Sequence, residues 1–320
     1  MKRALSLALA LVMLALATVG LASCGEEKPL VGIIQFGSHA SLNNCYTGVA
    51  EALAAAGITS EAYTIEHLDS NFDPSVSQTQ AATLVNRGAR VIIAIATPSA
   101  VAAANAAADS GIPVVFCAIT DASVMAHYSG VTGSSDVPNF AKQLEVVNAF
   151  MQKESLKIGV LYSTEESSSP YQVAQLKAAA AASATPTEII DRAVADINTI
   201  DTQVNALLDA GVDCFVNLLD NTVVGKLESN ILPLTNAAGV PVFGSEIEQV
   251  KLGCVASASM DYVAVGRKAG EAAVAILGGK KPSDIPTAVI TDPENYYSST
   301  ACALLGLTVP RDLPLQDVAG

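Results

Sequence analysis

The sequence predicts an α/β protein made of two doubly wound parallel-sheet lobes with a hinge and a cleft between them. Short apolar runs alternate with alanine-rich helical segments, and this alternation occurs twice, with a break near residues 128–139. The apolar runs are nearly continuous rather than alternating with polar residues, which is typical of strands in a parallel sheet that is covered on both faces. Glycines after several helical segments supply the expected stop signals.

The first half of the chain opens with the run "LVGIIQF", which leads into the helical segment "CYTGVAEALAAAG". A second strand precedes the helix "VAAANAAADSG", and a third ends in a short polar cluster. These features predict strands at residues 30–36, 89–96 and 112–119.

The second half repeats the pattern, with the helix "QVAQLKAAAAAS" after its first strand. Strands are predicted here at residues 157–163, 212–219 and 241–245. The long helical segment at residues 262–279 is expected to return to the first lobe. We therefore predict a first lobe of residues 30–136 plus 259–285 and a second lobe of residues 137–258 plus 286–320.

The start of the chain has the pattern of a secretory signal peptide. Lys2 and Arg3 precede an apolar stretch that ends near Ala22, and a charged segment follows. The sequence "LASC" at residues 21–24 resembles the lipobox of bacterial lipoproteins, in which the cysteine is acylated and becomes the first residue of the mature chain. We expect residues 1–23 to be removed, Cys24 to carry lipid, residues 24–29 to act as a tether, and the protein to work outside the cytoplasmic membrane.

Composition excludes several classes of function. The formal net charge of −14 and the lack of a basic cluster argue against nucleic-acid binding. Neither the three histidines nor the cysteines have metal-ligand spacing, and no nucleotide loop or nucleophile elbow is present, so no metal, cofactor or covalent catalysis is expected. Cys117 and Cys214 are predicted to be buried thiols, whereas a pairing of Cys254 with Cys302 stays open.

Polar clusters follow the predicted strands, at the edge where ligands bind in open α/β sheets. Hydroxyl groups and helix N-termini there suit a carboxylate. Asp121, Asp220 and Glu246 are placed to neutralise an ammonium group, Asp220 above all, and Phe36 offers a flat surface for an apolar side chain. The alternative for each polar residue is a helix N-cap. No lysine or arginine stands at these strand ends. A zwitterion with an apolar side chain is therefore the predicted ligand.

Several stretches resemble the solute-binding lipoproteins of ABC importers, in the subgroup associated with tryptophan, tyrosine and phenylalanine uptake. They span residues 30–287 and include "VGIIQFGSHASLNNCYTGV", "VIIAIATPSA", "IPVVFCAITD", "KIGVLYSTEESSS" and "LLDNTVV". The resemblance implies the type I periplasmic-binding fold, with three hinge crossings and closure around one ligand. Carried over by position, it implies the ligand-binding residues Gln35, Phe36, His39, Thr97, Pro98, Thr120, Asp121, Glu166, Ser168, Ser169, Asp220, Asn221, Ser245 and Glu246.

The sequence thus predicts a monomeric, lipid-anchored receptor that binds an aromatic amino acid and delivers it to a permease and its ATPase. Two alternatives remain open at this point. One is a receptor for a branched-chain amino acid or a short peptide, and the other is an extracytoplasmic hydrolase with two carboxylates.

Overall fold

The computed structural model describes residues 28–290 and 293–318, so the predicted signal peptide and Cys24 lie outside the described residues. The predicted α/β architecture is confirmed. The strands are β1 (Leu30–Gln35), β2 (Thr64–Asp69), β3 (Val91–Ile95), β4 (Val114–Ile119), β5 (Val131–Ser135), β6 (Leu156–Ser163), β7 (Thr187–Val194), β8 (Cys214–Val216), β9 (Val242–Phe243), β10 (Ala256–Ser259), β11 (Ala288–Val289), β12 (Glu294–Tyr297) and β13 (Leu315–Asp317).

Helices follow most of the strands. They are α1 (Ala40–Ala55), α2 (Pro74–Asn86), α3 (Thr97–Ala107), α4 (Phe140–Met151), α5 (Ser168–Ala182), α6 (Ile200–Asp209), α7 (Asn221–Val224), α8 (Leu232–Ala237), α9 (Ile247–Leu252), α10 (Tyr262–Leu277) and α11 (Ser299–Leu305). Short 3₁₀ turns lie at residues 122–125, 197–199 and 282–284, and one π-helical turn lies at residues 227–231.

The first lobe is built on a six-stranded sheet in the order β11-β5-β4-β3-β1-β2, and every neighbouring pair in it is parallel. The central strands β1, β3 and β4 are buried along their whole length. Hydrophobic clusters cover both faces of this sheet, so the lobe has the doubly wound arrangement that the apolar runs predicted.

The second lobe is built on the parallel sheet β7-β6-β8-β9. A small sheet, β10-β12-β13, continues it, because the N–H of Val255 donates to the Val242 carbonyl and that of Gly244 to the Ala256 carbonyl. β10 and β12 are antiparallel. The described elements change from one lobe to the other at three places in chain order: after β5, between β10 and α10, and between β11 and β12.

Some expectations need correction. The edge strands β2 and β7 were not predicted, because edge strands are half exposed and the predictions relied on continuous apolar runs. The predicted strand at 212–219 is only three residues long, at Cys214–Val216. Residues 288–289 pair with β5 and therefore belong to the first sheet, although residues 286–320 were assigned to the second lobe.

Helix α10 returns to the first lobe as expected, and it packs against α1 at very short distance. Gly48 on α1 and Gly266 on α10 allow this, because a Cβ on either would overlap the backbone of the facing helix. A Cβ on Gly270 would lie 2.6 Å from that of Ala52. The two helices thus approach backbone to backbone, and α10 begins directly after a crossing between the lobes.

Cys117 and Cys214 are buried free thiols, as predicted, and Cys254 and Cys302 are also unpaired. Within the part of the chain that the structure describes, no helix combines the length and the apolar character needed to cross a membrane.

Candidate functional site

A cavity, hereafter the chamber, lies between the carboxyl edges of the two sheets. Small-molecule sites occur preferentially at such interfaces between domains. The first lobe contributes His39, Ser41, Leu42, Ala96, Thr97, Ala118, Thr120, Asp136 and Tyr262. The second lobe contributes Ser168, Leu219, Asp220, Asn221, Val224, Glu246 and Gln249. The lining therefore combines several carboxyl groups with no lysine or arginine.

Two alanines at the ends of strands mark the first-lobe wall of the chamber. Ala96 follows β3 with a φ of 75°, and Ala118 lies near the end of β4 with a φ of 56°. Positive φ is unfavourable for a residue with a Cβ, and such residues concentrate at binding sites, where the surrounding structure enforces the conformation. Both alanines border the cavity directly.

The first-lobe helices reach the chamber with uncapped N-termini. His39 precedes α1 and Ala96 precedes α3, and neither side chain caps its helix. Thr97, at the start of α3, is 4% exposed, and its hydroxyl has no hydrogen-bond partner among the described residues. Free N–H groups and an unpartnered hydroxyl together form a site suited to an anion.

The second-lobe helices α7 and α9 are capped by acidic side chains instead. Asp220 accepts hydrogen bonds from the N–H of Val223 (3.0 Å) and of Ser163 (2.6 Å) and from the Ser169 hydroxyl (2.7 Å). Glu246 accepts from the N–H groups of Glu248 and Gln249. The N-cap alternative for these two acids is thus realised, and both also border the chamber.

Asp136 is a chamber residue that the sequence analysis did not identify. Its carboxylate accepts hydrogen bonds from the hydroxyl of Thr120 (3.1 Å) and from that of Tyr262 (2.9 Å), the first residue of α10. The available signal was its position directly after "GVTGSS", which is strand β5 but was not taken as a strand. Tyr262 had no such signal, because it comes to the chamber from a distant part of the chain.

Burial raises the pKa of the three carboxyl groups that line the chamber and of Glu166 beside it. Desolvation raises the pKa of Glu246 to about 7, and it also raises those of Asp136 and Asp220. Glu166 lies behind the chamber wall, where burial and the nearby charge of Asp220 raise its pKa to about 8. Burial without a positively charged partner favours the neutral acid. A cationic group that enters the chamber would lower these pKa values, because its charge stabilises the ionised carboxylates.

The predicted ligand-binding residues divide into two groups. The chamber is lined by His39, Thr97, Thr120, Ser168, Asp220, Asn221 and Glu246. The other seven lie outside the lining: Gln35, Phe36, Pro98, Asp121, Glu166, Ser169 and Ser245.

The residues outside the lining have structural partners. The Gln35 amide donates to Asn43 Oδ1 and to the Gly37 carbonyl, which supports the loop before α1. Asp121 caps a 3₁₀ turn by accepting from the N–H of Ser123. Phe36 packs edge-on against Phe72 rather than facing the chamber.

Hydrogen bonds cross the cleft between the start of α1 and the second lobe. His39 Nε2–H donates to Asn221 Oδ1 (2.9 Å), and the Asn44 amide donates to Glu248 Oε1 (3.3 Å). The Ser41 hydroxyl donates to Glu246. The lobes are therefore closed on each other around the chamber.

Comparisons with known proteins agree with this geometry. The family model for ABC transporter substrate binding proteins matches residues 30–316. A tyrosine-binding protein from Clostridioides difficile is 30% identical over 277 residues, covering 84% of this chain and 78% of the relative.

Two solved structures bear on the conformation. A Streptococcus pneumoniae ABC domain in complex with L-Trp is 29% identical, with a TM-score of 0.83 over 90% of this chain and 97% of that one. A ligand-free, open substrate-binding protein from Clostridium difficile is 27% identical, with a TM-score of 0.67 over 90% and 99%. At nearly equal identity, the lobes match the tryptophan complex better than the open form. The fold is the type I periplasmic-binding fold, and the chain belongs to the ABC transporter substrate-binding protein family.

Proposed function

We propose that this protein is the lipid-anchored receptor of an ABC importer and that it binds an aromatic L-amino acid in the chamber. One observation carries the proposal: the cavity between the lobes combines the unpartnered Thr97 hydroxyl at an uncapped helix start with buried carboxyl groups, and its lining contains no lysine or arginine. Such a site neutralises both charges of a zwitterion. The protein's part in transport is binding and closure, without a covalent step.

The arrangement of groups suggests how the amino acid lies in the chamber. Its carboxylate is placed at the starts of α1 and α3, near the Thr97 hydroxyl, and its ammonium group near Asp136 and Glu246. Asp136 is the strongest choice, because only two donors from other described residues bond to its carboxylate. Asp220 and Glu246 each accept three hydrogen bonds already. The chamber's apolar wall, which includes Leu42, then contacts the side chain.

The preference for an aromatic side chain rests on the relatives, one named for tyrosine and one solved with L-Trp. The extracytoplasmic anchor rests on the resemblance of "LASC" to a lipobox, and the permease and ATPase partners follow from the family. Replacement of Cys24 by serine is expected to abolish acylation, and acyl label that still enters this variant would disprove the anchor.

Fluorescence provides the test of ligand class, because the chain contains no tryptophan. Added L-tryptophan should shift its emission to shorter wavelength and saturate near one equivalent, since closure of the lobes excludes water from the indole. L-Tyrosine and L-phenylalanine should displace it. L-Leucine should compete poorly, and so should tryptamine and indole-3-propionate, which each lack one charged group. Equal displacement by L-leucine would favour the branched-chain alternative, and no shift at millimolar L-tryptophan would disprove the aromatic assignment.

A further inference from the structure

The turn between β2 and α2 holds two consecutive residues in the left-handed region. Asn71 has a φ of 50° and Phe72 a φ of 60°. This conformation is tolerated by asparagine but is a clear outlier for a bulky aromatic residue. The surrounding structure fixes it, because the N–H of Asn71 donates to Asp69 Oδ1 (2.7 Å) and that of Phe72 to the Phe36 carbonyl (2.8 Å).

This turn places the ring of Phe72 against the loop that leads into α1. The ring lies edge-on to Phe36, with centroids 5.8 Å apart, and parallel to the imidazole of His39, with centroids 6.1 Å apart and planes within 6°. Both separations are typical of favourable aromatic pairs. Gly37 makes room for the ring, since a Cβ on Gly37 would overlap it.

His39 is the residue through which this packing reaches the second lobe. Its Nε2 bonds to Asn221 across the cleft, and the Asn221 amide donates in turn to Glu166 Oε2 (2.9 Å). Asn221 borders both the chamber and an outer groove whose first-lobe wall is Phe72. The His39–Asn221 bond therefore lies at the boundary between the chamber and the groove.

We propose that Phe72 is a positioning residue for lobe closure: its ring holds the His39 imidazole in the orientation that bonds Asn221 and so closes the mouth of the chamber over the ligand. The inference rests on the proposed function only in taking the chamber as the ligand site. Three features hold the Phe72 ring in one place. They are the left-handed turn, the aromatic contacts with Phe36 and His39, and Gly37, which has no room for a side chain. Loss of the ring should shift the lobes toward the open form and speed ligand release.

Ligand release is the direct test, measured by stopped-flow fluorescence with L-tryptophan. Phe72→Ala is expected to raise the dissociation rate about three- to tenfold, the range for loss of an aromatic pair, with little change in the association rate. Phe72→Tyr keeps the ring and should restore slow release, whereas Phe72→Leu should not. A residue with only a structural role would respond to retained apolar volume, and leucine would then rescue as well as tyrosine.

Gly37→Ala supplies a second variant, which displaces the ring without removing it. It should speed release in the same way, and the double variant should be no faster than the faster single variant, because both changes act on one contact. Tyr128→Ala is the matched control, since Tyr128 also packs on a histidine of the first lobe (centroids 4.0 Å apart) but does not border the chamber. Its release rate should equal that of the unaltered protein.

Unchanged release in both Phe72→Ala and Gly37→Ala would overturn the inference and leave the proposed function standing. If the unaltered protein binds none of the aromatic amino acids, the proposed function fails, and small-angle X-ray scattering of the unliganded proteins still decides the inference. A larger radius of gyration in Phe72→Ala than in the unaltered protein supports it. Equal radii contradict it.

Discussion

The two rims of the cleft differ in how their helix N-termini are satisfied. On the first-lobe rim, α1 and α3 begin without a side-chain cap, whereas on the second-lobe rim Asp220 and Glu246 cap α7 and α9. The second-lobe rim also has an uncapped helix start, that of α5 at Ser168. The contrast between the rims therefore lies in the two acidic caps, which place Asp220 and Glu246 on the second-lobe side. This difference indicates that the two rims favour opposite charged groups of the ligand. We therefore expect a bound amino acid to have one preferred orientation in the chamber.

The largest effect on ligand affinity is expected at Asp136. This residue is the acidic group on the first-lobe side of the chamber lining, so the first-lobe rim is not wholly without carboxyl groups. Asp136→Asn keeps the shape and removes the charge. It should weaken amino-acid binding by about a hundredfold, equal to roughly 2.7 kcal/mol, because the ammonium group loses a buried charged partner. Calorimetry measures the affinity. Unchanged affinity would indicate that the ammonium group contacts only carboxyl groups of the second lobe.

A smaller effect is expected at the uncapped rim. Thr97→Val removes the unpartnered hydroxyl and should weaken binding by about tenfold, the effect of one hydrogen bond to a charged group. Thr83→Val is the matched control, because that exposed hydroxyl bonds only within its own helix, to the Thr79 carbonyl. If both variants bind like the unaltered protein, the carboxylate does not lie at the start of α3.

The pH dependence of stability tests the acidic side. The folded protein holds protons on Glu166 and Glu246 more tightly than the unfolded chain, since burial raises their pKa from 4.5 to about 8 and about 7. Their contribution is present below pH 4.5 and is lost as the pH rises through 7 to 8. Between these limits each of the two groups should cost the unliganded protein up to about 1.4 kcal/mol per pH unit.

The measurement is denaturant unfolding at several pH values between 5 and 8. Glu166→Gln should flatten the pH dependence. Saturating ligand should flatten it too, because an ammonium group favours the ionised carboxylates. The lowered pKa of buried His39 acts in the opposite direction, and only below its ordinary value of 6.5. A slope that Glu166→Gln leaves unchanged would show that this carboxyl group titrates normally.

The smallest effect is expected at Asp121, which follows a strand of the first lobe but lies outside the chamber lining. Asp121→Ala should lower the unfolding free energy by about 1 kcal/mol or less through loss of its cap. Ligand affinity should not change. Thermal melts measure the loss of the cap, and calorimetry measures ligand affinity. A loss of affinity would indicate that Asp121 contacts the ligand.

The alternation of apolar runs and helices was enough to predict the sheets, because strands buried on both faces carry a continuous hydrophobic signal. That signal is absent from β2, whose residues are only partly buried, and from the small residues of β5. The rule that ligands bind at strand ends pointed to His39, Thr97 and Asp220, and these residues line the chamber; their contact with a ligand stays a prediction.

The same rule does not tell which polar side chain turns inward. Asp121 and Asp136 both stand at strand ends, yet one caps a local turn and the other faces the chamber. The left-handed turn at Phe72 could not be predicted either, because Asn71 tolerates this conformation but a phenylalanine gives no sign of it.

The glycine contacts between α1 and α10 have a mechanical consequence. With Gly48 and Gly266 in backbone contact, no side chain lies between the helices to deform, so they behave as a single rigid arm. The two helices run parallel, so both begin at the same end of this arm, where α1 brings His39 and Ser41 to the chamber and α10 starts at a crossing between the lobes. We expect a displacement at the chamber to move both helices together. Gly48 does not border the chamber, yet we expect its substitution to change ligand affinity.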